Sequence, residues 1–208
     1  IKREGQTFLK LSMKKKIIIG LVGVVVIAAV AGGFFWWENR LTPVEKWDMA
    51  KISQPSDFTV TEIAEQKIIE NKSAGLTFAV PKDWIATSTP SMFKISKPGA
   101  REKNSIFMEK GCRIIVEIAG INTNIDTVKE ELKTGVWGKY MSRQDQIIIN
   151  DKTALLYVAS SDTLNFYHYG IVIPYHEKIY SIILNTTPQD KDICSQNFQD
   201  ILDSVKIQ

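Results

Sequence analysis

Hydrophobic positions along this chain follow two patterns. The first is a continuous run, Ile17 to Trp37 (IIIGLVGVVVIAAVAGGFFWW), 21 residues without a charge. A helix needs about 20 apolar residues to cross the roughly 30 Å hydrocarbon layer of a bilayer, so this run predicts a transmembrane helix. The second pattern, from about residue 58 onward, is alternation. Leu76-Thr77-Phe78-Ala79-Val80 puts Leu, Phe and Val on one face of a strand, and Ile114, Val116 and Ile118 share a face within 113–118. Thr59 to Ile69 carries β-formers with polar interruptions, and Asn71 to Gly75 is a turn cluster. Pro81-Lys82-Asp83-Trp84 turns the chain, Met92 to Ile95 reads as a short strand, and 97–111 reads as a long polar loop.

Two helices interrupt the strands. Asn124 can cap the first, Asp126 lies in its first turn and Gly135 closes it; Ile125, Val128 and Leu132 mark its buried stripe. Thr187-Pro188-Gln189-Asp190 predicts the start of the second, with Thr187 as N-cap. Cys194, Phe198, Ile201, Leu202 and Val205 then fall on one helix face. Between them lie four strand candidates, Gln146–Ile149, Ala154–Ala159, Phe166–Ile173 and Lys178–Leu184. Their connections, Asn150-Asp151-Lys152 and Tyr175-His176-Glu177 among them, are too short for parallel crossovers, so the strands form an antiparallel meander. Runs of strands with helices between and after them indicate an α+β fold.

Charge orients the span. The chain has 26 Lys+Arg and 23 Asp+Glu. Six of the cations but only one acid, Glu4, precede residue 38, so 38–208 hold 20 and 22, a net of −2. The Lys14–Lys16 run stands directly before the apolar stretch, and positive flanks stay in the cytoplasm. Trp36 and Trp37 suit the outer interface. The expected organisation is a basic cytoplasmic tail (1–16), a transmembrane helix (17–37), a linker (38–57) and an extracytoplasmic domain (58–208). The competing reading is a cleaved signal peptide with a small-x-small site at Ala29-Val30-Ala31. The apolar run continues past that site into Phe34-Phe35-Trp36-Trp37, which favours an uncleaved anchor. No cysteine follows the run in the position of a lipid-modified anchor. The expected partners are the lipid bilayer, through Ile17 to Trp37, and an envelope protein or glycan. The mildly acidic domain has no basic patch for nucleic acid.

The segment Ala74-Gly75-Leu76-Thr77-Phe78-Ala79-Val80-Pro81-Lys82-Asp83-Trp84 resembles the opening of the PsbP-like family, in which an apolar alternating strand runs into Pro-x-x-Trp. The late meander, the Ile179-Tyr180-Ser181-Ile182 strand and the closing Phe198…Ile201-Leu202…Ser204-Val205 helix are similar to the same pattern. The resemblance covers roughly residues 66–208. It implies an antiparallel sheet covered by helices, and a place among membrane-anchored bacterial domains. What matches is packing, so it carries over no catalytic residue.

Candidate chemistry is sparse. His168 lies in a strand between Tyr167 and Tyr169, and His176 lies in a turn; neither belongs to an HxH or HExxH motif. There is no GxSxG or SxxK signature for a serine nucleophile. Glu130-Glu131 reads as a solvated helix face. Lys97, Arg101, Lys103 and Lys110 are diluted by Glu102 and Glu109, so the 97–111 loop reads as solvated. No cofactor or metal site is expected. Cys112 and Cys194 are either two small buried hydrophobes or a disulfide fixing helix to sheet. Two cysteines, and only two, in a domain outside the cytoplasm favour the bond. These readings converge on a non-catalytic binding or accessory domain. The alternative is an envelope enzyme of hydrolase type, its site assembled from scattered residues; a polar cleft holding His168 or His176 beside Ser or Asp would mark it.

Overall fold

Alternation of apolar and polar residues builds two sheets whose apolar faces meet. The computed structural model describes residues 53–89, 92–120 and 123–208, which fall in one compact unit. The basic tail, the predicted span Ile17–Trp37, Trp47 and the linker up to residue 52 lie outside the described residues. Among the described residues no helix is long and apolar enough to cross a membrane.

The chain opens with β1 (Phe58–Ile63), β2 (Gln66–Asn71) and β3 (Leu76–Pro81), joined as antiparallel hairpins. The β-former stretch 59–69 is therefore two strands folded at Ala64, which adopts a positive φ of 37°. After β3, Trp84 drops into the core, with its amide bonded to the Pro81 carbonyl at 3.0 Å. β4 (Ile85–Ser88) and β5 (Phe93–Ser96) follow, then β6 (Arg101–Glu102), β7 (Met108–Lys110) and β8 (Arg113–Gly120). The predicted loop 97–111 thus contains the small β6–β7 hairpin. Helix α1 (Ile125–Thr134) has Asn124 as its N-cap, its side chain accepting from the Asp126 and Thr127 amides. Strands β9 (Met141–Ile149), β10 (Lys152–Ser161), β11 (Phe166–Tyr175) and β12 (Lys178–Thr186) form the expected meander. Its tight turns place Asn150, Asp151, His176 and Glu177 at positive φ. Helix α2 (Lys191–Asp203) and the short β13 (Lys206–Ile207) close the chain.

The larger sheet has the order β4-β5-β8-β12-β11-β10-β9 and the smaller β1-β2-β3-β13. Every pairing is antiparallel. One lateral row of the larger sheet shows what holds the domain together. Leu156, Ile171, Ile182, Val116 and Phe93 are successive cross-strand partners on five strands, and all are buried. Leu76, Phe78 and Val80 of β3 and Cys194, Phe198, Ile201 and Leu202 of α2 belong to the same core. Burying one such side chain contributes roughly 1.5–3 kcal/mol, so this layer supplies most of the stabilisation.

Two differences from the sequence expectation concern the end of the chain. Helix α2 starts at Lys191 with Asp190 as N-cap rather than at Thr187. Thr187 instead closes a turn, its carbonyl accepting from the Asp190 amide at 3.2 Å, while the Asp190 carboxylate accepts from the Gly111 amide at 2.7 Å. Val205 lies beyond the helix but is buried, and the following β13 pairs with β3.

That pairing explains Gly75. Its φ is +73°, the Gln208 amide donates to its carbonyl at 3.0 Å, and a Cβ there would sit 2.6 Å from the Gln208 carbonyl oxygen. Gly75→Ala is expected to lower stability by about 1–3 kcal/mol, from backbone strain plus displacement of β13. Urea unfolding checks this; an unchanged midpoint would contradict the role given to the Gly75–Gln208 closure.

Candidate functional site

The two faces of the larger sheet differ in kind. Residues that alternate with the core set form the other face, where α1 lies against β10 and β11. Here Leu155, Tyr157, Val172 and Val128 make a small separate cluster. Val128 is the one residue of α1 that is buried, with Ile125 and Leu132 partly buried beside it. Following the row that starts at Leu155, the partners are Val172, Ser181 and Glu117. The row changes from apolar to polar as it leaves the cover of α1.

That change opens a groove of about 220 Å³ between α1 and the sheet. Val128 and Leu132 form its wall, and Val172, Ile179 and Ala119 its apolar floor. Glu117, Ser181 and Glu131 supply the polar groups, and among the described residues no Lys or Arg lines it. Glu117 remains exposed at the mouth, yet its apolar surroundings desolvate the carboxylate and hold it above the usual carboxylate range. Among the described residues it has no hydrogen-bond or ion-pair partner. Gly170 shapes the adjoining floor: a Cβ there would lie 2.5–2.6 Å from the ring and hydroxyl of Tyr157, so the phenol lies flat across β11. Burial raises the Tyr157 phenol well above its ordinary value, and the Glu117 charge adds to this.

A second polar group lies on the same face, nearer the β6–β7 hairpin. Arg113, Asn185 and His168 are cross-strand neighbours in one row, and all three are buried. Arg113 pairs with Glu102 at 3.3 Å and donates to the carbonyls of Ile106 (3.0 Å) and Asn104 (3.4 Å). Glu102 also accepts from Lys94 at 2.7 Å. Burial works to raise the Glu102 carboxyl, but Lys94 and Arg113 outweigh it and hold the group below its ordinary range. These bonds tie the predicted loop 97–111 to the sheet. His168 is enclosed by Trp137 and Phe166, with ring centroids at 4.6 and 4.8 Å, and its Nε2 has no partner among the described residues. Burial first, and the nearby Arg113 charge second, depress its pKa to about 4.

The sequence candidates fall in separate places. Cys112 and Cys194 are joined by a disulfide, with Cα atoms 5.5 Å apart, in the core beneath α2. His176 lies in the β11–β12 turn against the Tyr175 ring, about 26 Å along the strand from His168 at roughly 3.3 Å per residue. Among the described residues no group of three or more His, Cys, Asp or Glu side chains is placed to hold a metal ion. Of the pair expected on a solvated helix face, Glu131 borders the groove. Glu117 belongs to no motif, and its one signal in the sequence is a lone charge inside the otherwise uncharged stretch Ile114–Gly120.

With the fold in view, known structures can be compared. The solution structure of cyanobacterial PsbP (CyanoP) from Synechocystis sp. PCC 6803 matches with a TM-score of 0.52 and 14% identity, over 71% of this chain and 95% of that one. The domain has a PsbP-like fold. Two crystal structures match at lower TM-scores. One is LpqN, involved in cell envelope biogenesis of Mycobacterium tuberculosis (0.43, 14% identity, 64% of this chain and 83% of that one). The other is a protein from Bacteroides thetaiotaomicron VPI-5482 (0.42, 9% identity, 64% of this chain and 45% of that one). No protein-family model matches the chain, and no curated protein sequence matches it significantly. The PsbP-like domain described above therefore draws its likeness from fold alone, and its site must be read from its own residues.

The buried histidine makes stability depend on pH. As pH falls through about 6.5 the unfolded chain takes up a proton at His168, while the native state withholds it until about 4. Stability is therefore full above about 6.5 and falls across that window. Glu117 acts with the opposite sign, because its raised pKa lets the native state take up its proton first. The loss assigned to His168 between pH 7.5 and 5 is about 2 kcal/mol. Denaturant titrations at both pH values, on the wild type and His168→Gln, are expected to show the wild type losing that much more than the variant. Equal losses would mean that His168 titrates normally in the folded domain.

Proposed function

We propose that this chain is a membrane-anchored, extracytoplasmic, non-catalytic binding or accessory domain acting on an envelope component. Ile17–Trp37 is its anchor and the Lys14–Lys16 side faces the cytoplasm. The observation that carries the binding reading is the open groove between α1 and the larger sheet. A face that would otherwise be closed core ends in an unpaired carboxylate amid aliphatic walls, and apolar concavities with a few placed polar groups are how small ligands are held. The Cys112–Cys194 disulfide supports the location, because such bonds persist in oxidising compartments.

The surroundings of the histidines also support a binding rather than hydrolytic role. A hydrolase needs a base within reach of the nucleophile it activates. His168 is packed against Trp137 and Phe166, and His176 against Tyr175, and among the described residues no Ser or Asp is hydrogen-bonded to either.

Treatment of intact cells with an external protease tests the topology. Digestion of residues 58–208 is the expected result, and protection of that domain would overturn the orientation. A mature chain beginning at Gly32 would replace the anchor with a cleaved signal peptide.

A further inference from the structure

We propose that the groove between α1 and the larger sheet binds a compact apolar molecule bearing a protonated amine, an alkyl- or arylalkyl-ammonium, with Glu117 as its counter-ion. The inference rests on the binding reading above and names the ligand class.

Three observations lead to it. The first is chemical. The walls are aliphatic, from Val128, Leu132, Val172 and Ile179, and the polar groups are two carboxylates, Glu117 and Glu131, and the Ser181 hydroxyl. An anionic ligand would be repelled by these carboxylates, and a neutral one would leave their charge uncompensated. A cation on an apolar body matches both parts of the surface.

The second is the state of Glu117. Two other acids beside the strands are paired, Glu102 with Lys94 and Arg113, and Glu62 with Lys67. Glu117 alone projects from the middle of a core strand, between Val116 and Ile118, and has no partner among the described residues. A carboxylate in a partly desolvated setting interacts strongly with a cation brought against it, because a charge-assisted hydrogen bond gains where water is displaced. An unpaired charge there gives the fold nothing, whereas a ligand ammonium would satisfy it.

The third is size. At about 220 Å³ the groove is smaller than the roughly 300–1,000 Å³ of drug-sized sites, so it suits a small molecule with one ring or a short alkyl chain.

The test uses phenethylammonium as probe, at pH 7.5, followed by amide chemical shifts of the folded protein. Saturable shifts are expected at 117–119, 128–132, 172 and 179–181. Glu117→Gln is expected to weaken binding about tenfold or more, and Glu131→Gln several-fold, as loss of a charged hydrogen-bond acceptor requires. Two further probes need no variant: 2-phenylethanol is expected to bind at least about tenfold more weakly than the amine, and 3-phenylpropionate not to bind. Absence of saturable shifts, shifts centred elsewhere, or equal binding of the alcohol and the amine would each overturn the proposal. A peptide, acetyl-Gly-Lys-Gly-amide, binding more tightly than phenethylammonium would overturn it in favour of a basic side chain of a partner protein. A domain found on the cytoplasmic side would overturn the location proposed in the preceding section and leave this inference standing. Failure of the amine to bind would do the reverse.

Discussion

One junction fastens the closing helix to the larger sheet, and the closed core depends on it. Gly111 and Cys112 arrive at the start of β8 and are held from three sides. The Gly111 amide donates to the Asp190 carboxylate, the Gly111 carbonyl accepts from Thr186 at 2.8 Å, and Cys112 is bonded to Cys194. Gly111 itself has a φ of +80°, and a Cβ there would meet the Ala100 Cα at 2.9 Å, so the backbone passes where a side chain does not fit. The disulfide spans 82 residues of sequence. In the chain-entropy model, closing a loop of that length stabilises the folded state by about 4.5 kcal/mol. That is a large share of the 5–15 kcal/mol typical of a domain.

Fixing α2 to one face of the sheet divides the labour between the two faces. The face under α2 and the smaller sheet is continuous aliphatic and aromatic packing, with Phe198, Ile201 and Leu202 filling the helix side. Tyr180 crosses between the sheets to donate to the Ala74 carbonyl at 2.6 Å. Among the described residues the opposite face is covered more lightly, by the β6–β7 hairpin, Trp137 and α1, which is ten residues long with a single buried side chain. Polar residues collect there because the cover is incomplete. The Arg113–Asn185–His168 row is sealed by the β6–β7 hairpin and Trp137, while the Ser181–Glu117 end of the neighbouring row stays open. The proposed binding uses the face that folding leaves unfinished.

How much of this the sequence discloses follows from where the alternation is clean. β3, β8, β11 and β12 are legible because each alternates against a face that is buried, and α2 is legible from Cys194, Phe198, Ile201 and Leu202. The β1–β2 hairpin is hidden because its turn uses Ala64 rather than Gly or Asn, and tertiary pairing imposes the positive φ. The β6–β7 hairpin is hidden because its strands have two and three residues, too few for a period; a buried Arg113, reaching from β8, organises it. The helix cap moves from Thr187 to Asp190 because Asp190 also receives the Gly111 amide, a contact between distant parts of the chain. Of the candidate site, the cysteines are visible as a pair. Glu117 is visible only as one charge in an apolar strand, and its meaning appears once Ser181, Val172 and α1 are beside it.

The central claim is that the α2 face is closed core while α1 covers its face lightly enough to leave a usable groove. Native-state hydrogen exchange with the disulfide intact tests it most directly. Amides of Val116, Ile182 and Phe198 are expected to exchange only through global unfolding, and those of 128–132 through local opening, at least about tenfold faster. Equal protection of α1 and the core strands would contradict the account, because α1 would then be as firmly part of the core as α2.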